Sequence, residues 1–185
     1  YTRSKWLAHQ AVLDFAADGG LASVIAPGVP VGGGDLNRTP PTQMIMDFLS
    51  NKYPAYLECL LNFIHADDVA KACVAAMRKK ESGKTYLISA ESWTLTQTLR
   101  FLDHEVGIRM PRFRIPYALA YSFALGANVF SRMTHQPPSA SPEAVKLAKY
   151  GLPLDKRKDL EELDISCKPV SEGILECVHS LRKSF

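Results

Sequence analysis

The chain has 185 residues, 46% hydrophobic and 22% charged, with a formal net charge of +3. That length supports one domain with a real core, and the composition is that of an ordinary globular protein. The charge is too small and too dispersed to mark a nucleic-acid binder, because the basic runs at 78–80 and 155–159 have acids close by and read as solvated helix ends.

Tyr1 and Lys5 open the chain. On a helix, residues four apart share a face, one turn above the other. An ammonium held there favours the phenolate and draws the tyrosine pKa down from its usual value of about 10 toward the range of a general acid or base. It can also hydrogen-bond the hydroxyls of a bound ribose. Taken alone, such a pair is most often only a solvated helical face. The helix continues through WLAHQAVLDFAA, which puts Trp6, Leu7, Val12, Leu13 and Phe15 on a broad apolar face, and Gly19-Gly20 ends it. LASVIAP follows as an apolar β-type run ending at Pro27, then the loop GVPVGGGD. Gly32, Gly33 and Gly34 lack the G-x-G-x-x-G spacing, and Asp35, Pro40 and Pro41 stand where a phosphate-cradling helix would begin. This cluster reads as a turn.

TPPTQMIMDFLSNK predicts a helix with prolines in its first turn and Ile45, Phe48 and Leu49 facing inward. YPAYLECLLNFIH predicts two short strands joined around 59–61. Asp67 is the predicted N-cap of a helix over DDVAKACVAAMRKK, with Val69, Cys73, Val74 and Met77 as its buried stripe. His65 reads as a satisfied histidine at a strand end. Asp67 and Asp68 read as capping carboxylates on the helix dipole, and no metal site is expected. KTYLIS is a strand, TLTQTLRFLDHEV a helix opened by Thr94, and FRIP a further short strand. IPYALAYSFALGANVFSRM is the most apolar stretch. A bilayer span needs about 20 such residues, and Ser122, Gly126, Asn128 and Ser131 interrupt this one. A buried helix is expected, and a partly exposed face serving a homodimer or a membrane surface is the second reading. SPEAVKLAKYG is a helix capped by Ser141, LPLD a short strand, and two polar helices close the chain. Cys59, Cys73, Cys167 and Cys177 show no C-x-x-C spacing and read as reduced, mostly buried side chains in a cytoplasmic protein.

A helix beginning Y-x-x-x-K, then a buried strand, then a Pro/Gly loop resembles the extended short-chain dehydrogenase/reductase superfamily, the NAD-dependent epimerase/dehydratase branch. FIHADDVA, GKTYLISAESWTLTQTL and KPVSEGILECV resemble later strand and helix motifs of that branch, in order. Within it, the likeness is to hopanoid-associated sugar epimerases and dihydroflavonol-reductase-like proteins. The resemblance implies an α/β fold: part of a doubly wound parallel sheet plus a small, mostly helical substrate lobe. Residues 1–35 would end the NAD(P)-binding domain. Residues 36–185 would form the substrate lobe, interleaved with the last strands and helices of the sheet.

The same resemblance implies roles for particular residues. Tyr1 would be the general acid/base and Lys5 its partner and ribose anchor. Pro27, Gly28 and Val29 would lie beside the nicotinamide of NAD or NADP. Asp35, Asn37 and Thr39, in a loop that also carries Arg38, would face a sugar-nucleotide-like or flavonoid-like substrate. Pro and Gly would equally supply a rigid turn at 27–29 for purely structural reasons. The family's Gly-rich turn and triad Ser or Thr belong upstream of the tyrosine, so these 185 residues would correspond to the second half of such an enzyme. Alone, they would neither bind NAD(P) usefully nor turn over substrate, and the uncovered apolar face of the first helix would favour self-association. Two other readings stay open: a dihydroflavonol-type carbonyl reductase, and a binding protein that keeps the fold without catalysis.

Overall fold

The computed structural model describes residues 2–107, 109–134, 142–154 and 157–182. The chain divides into two compact units, one built from 1–41, 62–91 and 154–185, the other from 42–61 and 92–153. Both are α/β, and every strand pair with a defined register is parallel.

In the first unit, helix α1 (Thr2–Ala17) runs into strand β1 (Val24–Pro27), and after Gly28 the chain continues as β2 (Val29–Val31). β1 pairs in parallel with β5 (Thr85–Ile88), with Pro27 opposite Ile88. β2 pairs in parallel with β4 (Leu60–His65), with Val29 opposite Phe63. β6 (Glu91–Thr94) follows β5 in the chain, where the first unit gives way to the second. Helix α3 (Ala66–Lys79) follows β4, and α7 (Arg157–Glu162) and α8 (Val170–Arg182) complete the unit. The core joins Ile64, Tyr86 and Ile88 of the strands to Ala72 and Ala76 of α3 and to Leu160 and Leu163.

Helix α3 departs from its predicted stripe. Ala72, Ala76 and Asp68 are its buried residues. Cys73 is exposed, as are Val74 and Met77. Of the predicted stripe, Val69 is half-buried against the core, while small residues take the rest of the approach to the sheet and Cys73, Val74 and Met77 turn outward. Its N-cap is also His65, not Asp67: the imidazole Nδ1 accepts the Asp67 backbone N–H at 3.1 Å. The final helix is less polar than expected, since Val170, Ile174, Cys177, Val178 and Leu181 of α8 are buried.

In the second unit, α2 (Pro40–Leu49) buries Ile45 and Phe48. Its carboxylate Asp47 is buried too, and its pKa is held low by bonds from Gln43 and Lys52 that overcome the opposing effect of burial. Two-residue strands β3 (Ala55–Tyr56) and β7 (Phe113–Arg114) pair in parallel. Helix α4 (Leu95–Val106) buries Leu95, Thr98, Leu99 and Leu102, spaced as one helical face. The Thr94 hydroxyl accepts the Gln97 N–H while the Gln97 side chain accepts the Thr94 N–H, and Gly107 closes the helix at φ +69°. Thr94→Ala removes one half of this box and should cost about 1 kcal/mol, measurable as a lower urea midpoint with unchanged slope. Burial pushes the Cys59 thiol up to about 11, so it carries no thiolate at neutral pH.

Helix α5 (Tyr117–Thr134) is not the buried helix expected from its apolar sequence. Of its described side chains only Ala124 is fully buried, whereas Leu119 and Phe123 are 63% and 65% exposed. It packs on α6 (Pro142–Tyr150), and the Tyr117 hydroxyl donates to the Glu58 carbonyl, so the helix is supported from one side. Ser141, the predicted cap of α6, lies outside the described residues. Of LPLD, residues 152–155 and predicted as a strand, residues 152–154 form none, because Pro153 has no N–H to offer a ladder and the Leu154 N–H goes to the Asn62 side chain at 3.1 Å, and Asp155 lies outside the described residues. Among the described residues, no helix is long and apolar enough to cross a membrane.

Candidate active site

Tyr1 lies outside the described residues. Lys5 sits exposed in the first turns of α1, a helix with no buried residue. Trp6, Leu7 and Phe15 on that helix are each at least half exposed.

Pro27, Gly28 and Val29 occupy the junction of β1 and β2, at the carboxyl end of the β1–β5 pair. Pro27 is exposed and Val29 half-buried. The Gly28 N–H donates to the Ile88 carbonyl at 2.9 Å. A Cβ on Gly28 would stand 2.1 Å from the Asn62 carbonyl oxygen and 3.2 Å from the Ser89 Cβ. Only glycine fits, and the reason is the close approach of neighbouring strands, a sufficient explanation before any ligand is considered. Ser89, which donates to the Phe63 carbonyl at 3.0 Å, lies just past the carboxyl end of β5. Open parallel sheets bind their ligands outside the carboxyl ends of their strands, so Pro27, Gly28 and Ser89 stand on the edge where a ligand would lie. Ser89 went unnoticed in the sequence because KTYLIS reads as strand to its last residue.

Asp35 and Thr39 are drawn together: one Asp35 carboxylate oxygen accepts both the Thr39 N–H at 2.7 Å and its hydroxyl at 2.6 Å. The turn between them places Arg38 at φ +50°. This is a local side-chain cap on the entry to α2, and it leaves Asn37 exposed at the tip. Of the three residues assigned to substrate, Asp35 and Thr39 are bonded to each other and Asn37 is exposed.

The acidic pair after His65 has structural partners. Asp68, fully buried, accepts the Lys168 N–H and the Lys71 ammonium, each at 2.7 Å. Lys168 also holds Asp67 at 2.8 Å, which lowers the Asp67 pKa and raises its own. His65, Glu172 and Glu176 offer ligand atoms within 4.8 Å of one another. They do not suit a metal. Nδ1 accepts the Asp67 N–H, so in the neutral imidazole Nε2 carries the proton where a metal would need a lone pair. Nε2 lies 3.3 Å from Glu176 Oε2, off the line of a hydrogen bond.

Residues 1–89 match the family model described as the NAD dependent epimerase/dehydratase family. The chain is 27% identical over 183 residues to a putative dihydroflavonol 4-reductase of Synechocystis, covering 97% of this chain and 53% of that protein. It superposes on the crystal structure of gox2253 with a TM-score of 0.81 and 28% identity, over 98% of this chain and 55% of the other. It shares its fold, at 15% identity and a TM-score of 0.67, with a UDP-glucose-4-epimerase of Stenotrophomonas maltophila solved with bound NAD, covering 100% and 55% of the two chains. The chain thus spans about half the length of the relatives it matches. Residues 1–89 thus match the NAD-dependent epimerase/dehydratase family, and the fold shared along nearly the whole length makes the chain similar to that family's members.

Proposed function

We propose that the protein of which this chain is the family's second half is an NAD(P)-dependent oxidoreductase or epimerase. It would act on an alcohol or carbonyl carbon of a sugar-nucleotide-like or flavonoid-like substrate. The observation that carries this reading is the Y-x-x-x-K spacing of Tyr1 and Lys5 in the sequence, inside the family match, with Lys5 on α1 and that helix leading into the parallel strand that ends at Pro27. Tyr1 moves the proton at the substrate oxygen, and Lys5 holds the phenol in its more acidic state while hydrogen-bonding the cofactor ribose. The bound nicotinamide supplies hydride exchange. Pro27, Gly28 and Val29 wall the nicotinamide side, and their fit rests on exposed Pro27 at a carboxyl strand end. Asp35 and Thr39 set the loop that offers Asn37 to the substrate.

The test is an assay of the full-length protein with NAD or NADP against a panel of nucleotide sugars and dihydroflavonols. Inversion at a sugar carbon without net reduced nicotinamide identifies an epimerase. Net, substrate-dependent oxidation or reduction of nicotinamide identifies a reductase, the activity in the name of the Synechocystis relative. Cofactor binding at one per chain with no turnover on any substrate would leave the binding-protein reading standing instead. Titration of NAD(H) or NADP(H) into residues 1–185 alone should give no micromolar binding, because no Gly-rich turn opens a helix in this sequence.

A further inference from the structure

The charge of this protein is unevenly placed. Residues 106–153 carry six Lys and Arg and a single acid, Glu143, for a net +5, so the rest of the chain is net −2. That same stretch contains β7, α5 and α6, all within the second unit, and it carries exposed large apolar side chains. Phe113 is 77% exposed between two arginines. Leu119 and Phe123 lie one turn apart on one face of α5, both mostly in solvent. Leu147, Tyr150 and Leu152, in α6 and just beyond it, are about as exposed. Lysines border this apolar surface: Lys146 Nζ stands 5.8 Å from the centre of the Tyr121 ring and Lys149 Nζ 5.1 Å from that of Tyr150. α5 has no acidic residue.

We propose that the packed pair of helices α5 and α6 docks on an anionic membrane surface, lying in the headgroup layer without crossing it. Apolar and aromatic side chains beside lysines are the composition of helices that rest at a lipid interface. Tyrosine suits that depth, with an apolar ring and a polar tip. The sign of the charge selects the occupant: a second copy of this surface would bring +5 against +5, whereas acidic lipid headgroups complement it. The helix length agrees, being too short and too interrupted to span.

The experiment is co-sedimentation of the full-length protein with phosphatidylcholine vesicles, with and without phosphatidylglycerol. Binding should require phosphatidylglycerol and weaken as salt rises. Each lysine near such a surface contributes about 1 kcal/mol, so Lys146→Gln with Lys149→Gln should lower partitioning about 30-fold. These surface substitutions should leave the melting temperature unchanged. Leu119→Ser with Phe123→Ser should lower partitioning at least tenfold, because insertion loses its apolar part. No binding, or equal binding to both vesicle types, would overturn the proposal. So would serine variants that abolish a dimer in sedimentation while vesicle binding persists. Binding to poly(U) RNA that depends on the lysines but not on Leu119 and Phe123, with no vesicle binding, would assign the surface to nucleic acid instead.

Discussion

Tyr1→Phe in the full-length protein is expected to lower kcat by about 10²–10⁴-fold, the usual contribution of general acid–base catalysis. The substitution deletes one hydroxyl and keeps the ring, so fold and cofactor affinity should stay close to those of the parent. Lys5→Met should act twice. Turnover should fall because the phenol loses the charge that lowers its pKa, and nicotinamide affinity should weaken because a ribose contact is gone. In a Lys5 variant that retains measurable rate, the limb of the pH profile that reports the tyrosine should move upward. A solvated helical face with no chemistry gives a different result: Lys5 is exposed, and exposed substitutions of that kind change stability or rate by no more than about 0.5 kcal/mol. Steady-state kinetics and a cofactor titration on the two variants separate the readings. Near-parental kcat in Tyr1→Phe removes the enzyme assignment.

Gly28→Ala is expected to be the most damaging single-methyl addition in the first unit. The added carbon would sit 2.1 Å from the Asn62 carbonyl, an atom of strand β4 that cannot swing aside as a side chain can. Overpacking a tight site costs about 1–3 kcal/mol and occasionally more. Backbone against backbone belongs at the upper end, so a loss of about 3 kcal/mol is expected. For a chain of this size that corresponds to a fall of roughly 6–12 °C in Tm. Gly34→Ala is the internal control. Gly34 adopts φ +78° with open space around its Cβ position, so its replacement costs only the backbone strain, about 1 kcal/mol. Equal losses at the two positions would show that the Asn62 carbonyl gives way to the added methyl, and the steric account would fail.

The sequence by itself determined the elements whose signals are local. Thr94 and Gln97 stand three apart at the head of an amphipathic run, and α4 begins there with both halves of its capping box formed. Gly19, at φ +91°, follows the end of α1. The apolar run ending at Pro27 is β1. Family and fold class were legible for the same reason: Y-x-x-x-K, the strand after it and FIHADDVA are short motifs read in order. What only the tertiary structure decided are matters between residues far apart in the chain. Gly28 is required by Asn62, and Asp68 is spoken for by Lys168, one hundred residues away. His65 takes the capping role that helix periodicity assigned to Asp67, because a strand end turned its ring back over the first N–H groups of α3. The outward turn of Val74, Met77, Leu119 and Phe123 was likewise invisible. A period of 3.6 says that a helix has an apolar face, and only the position of its neighbours says which face is covered.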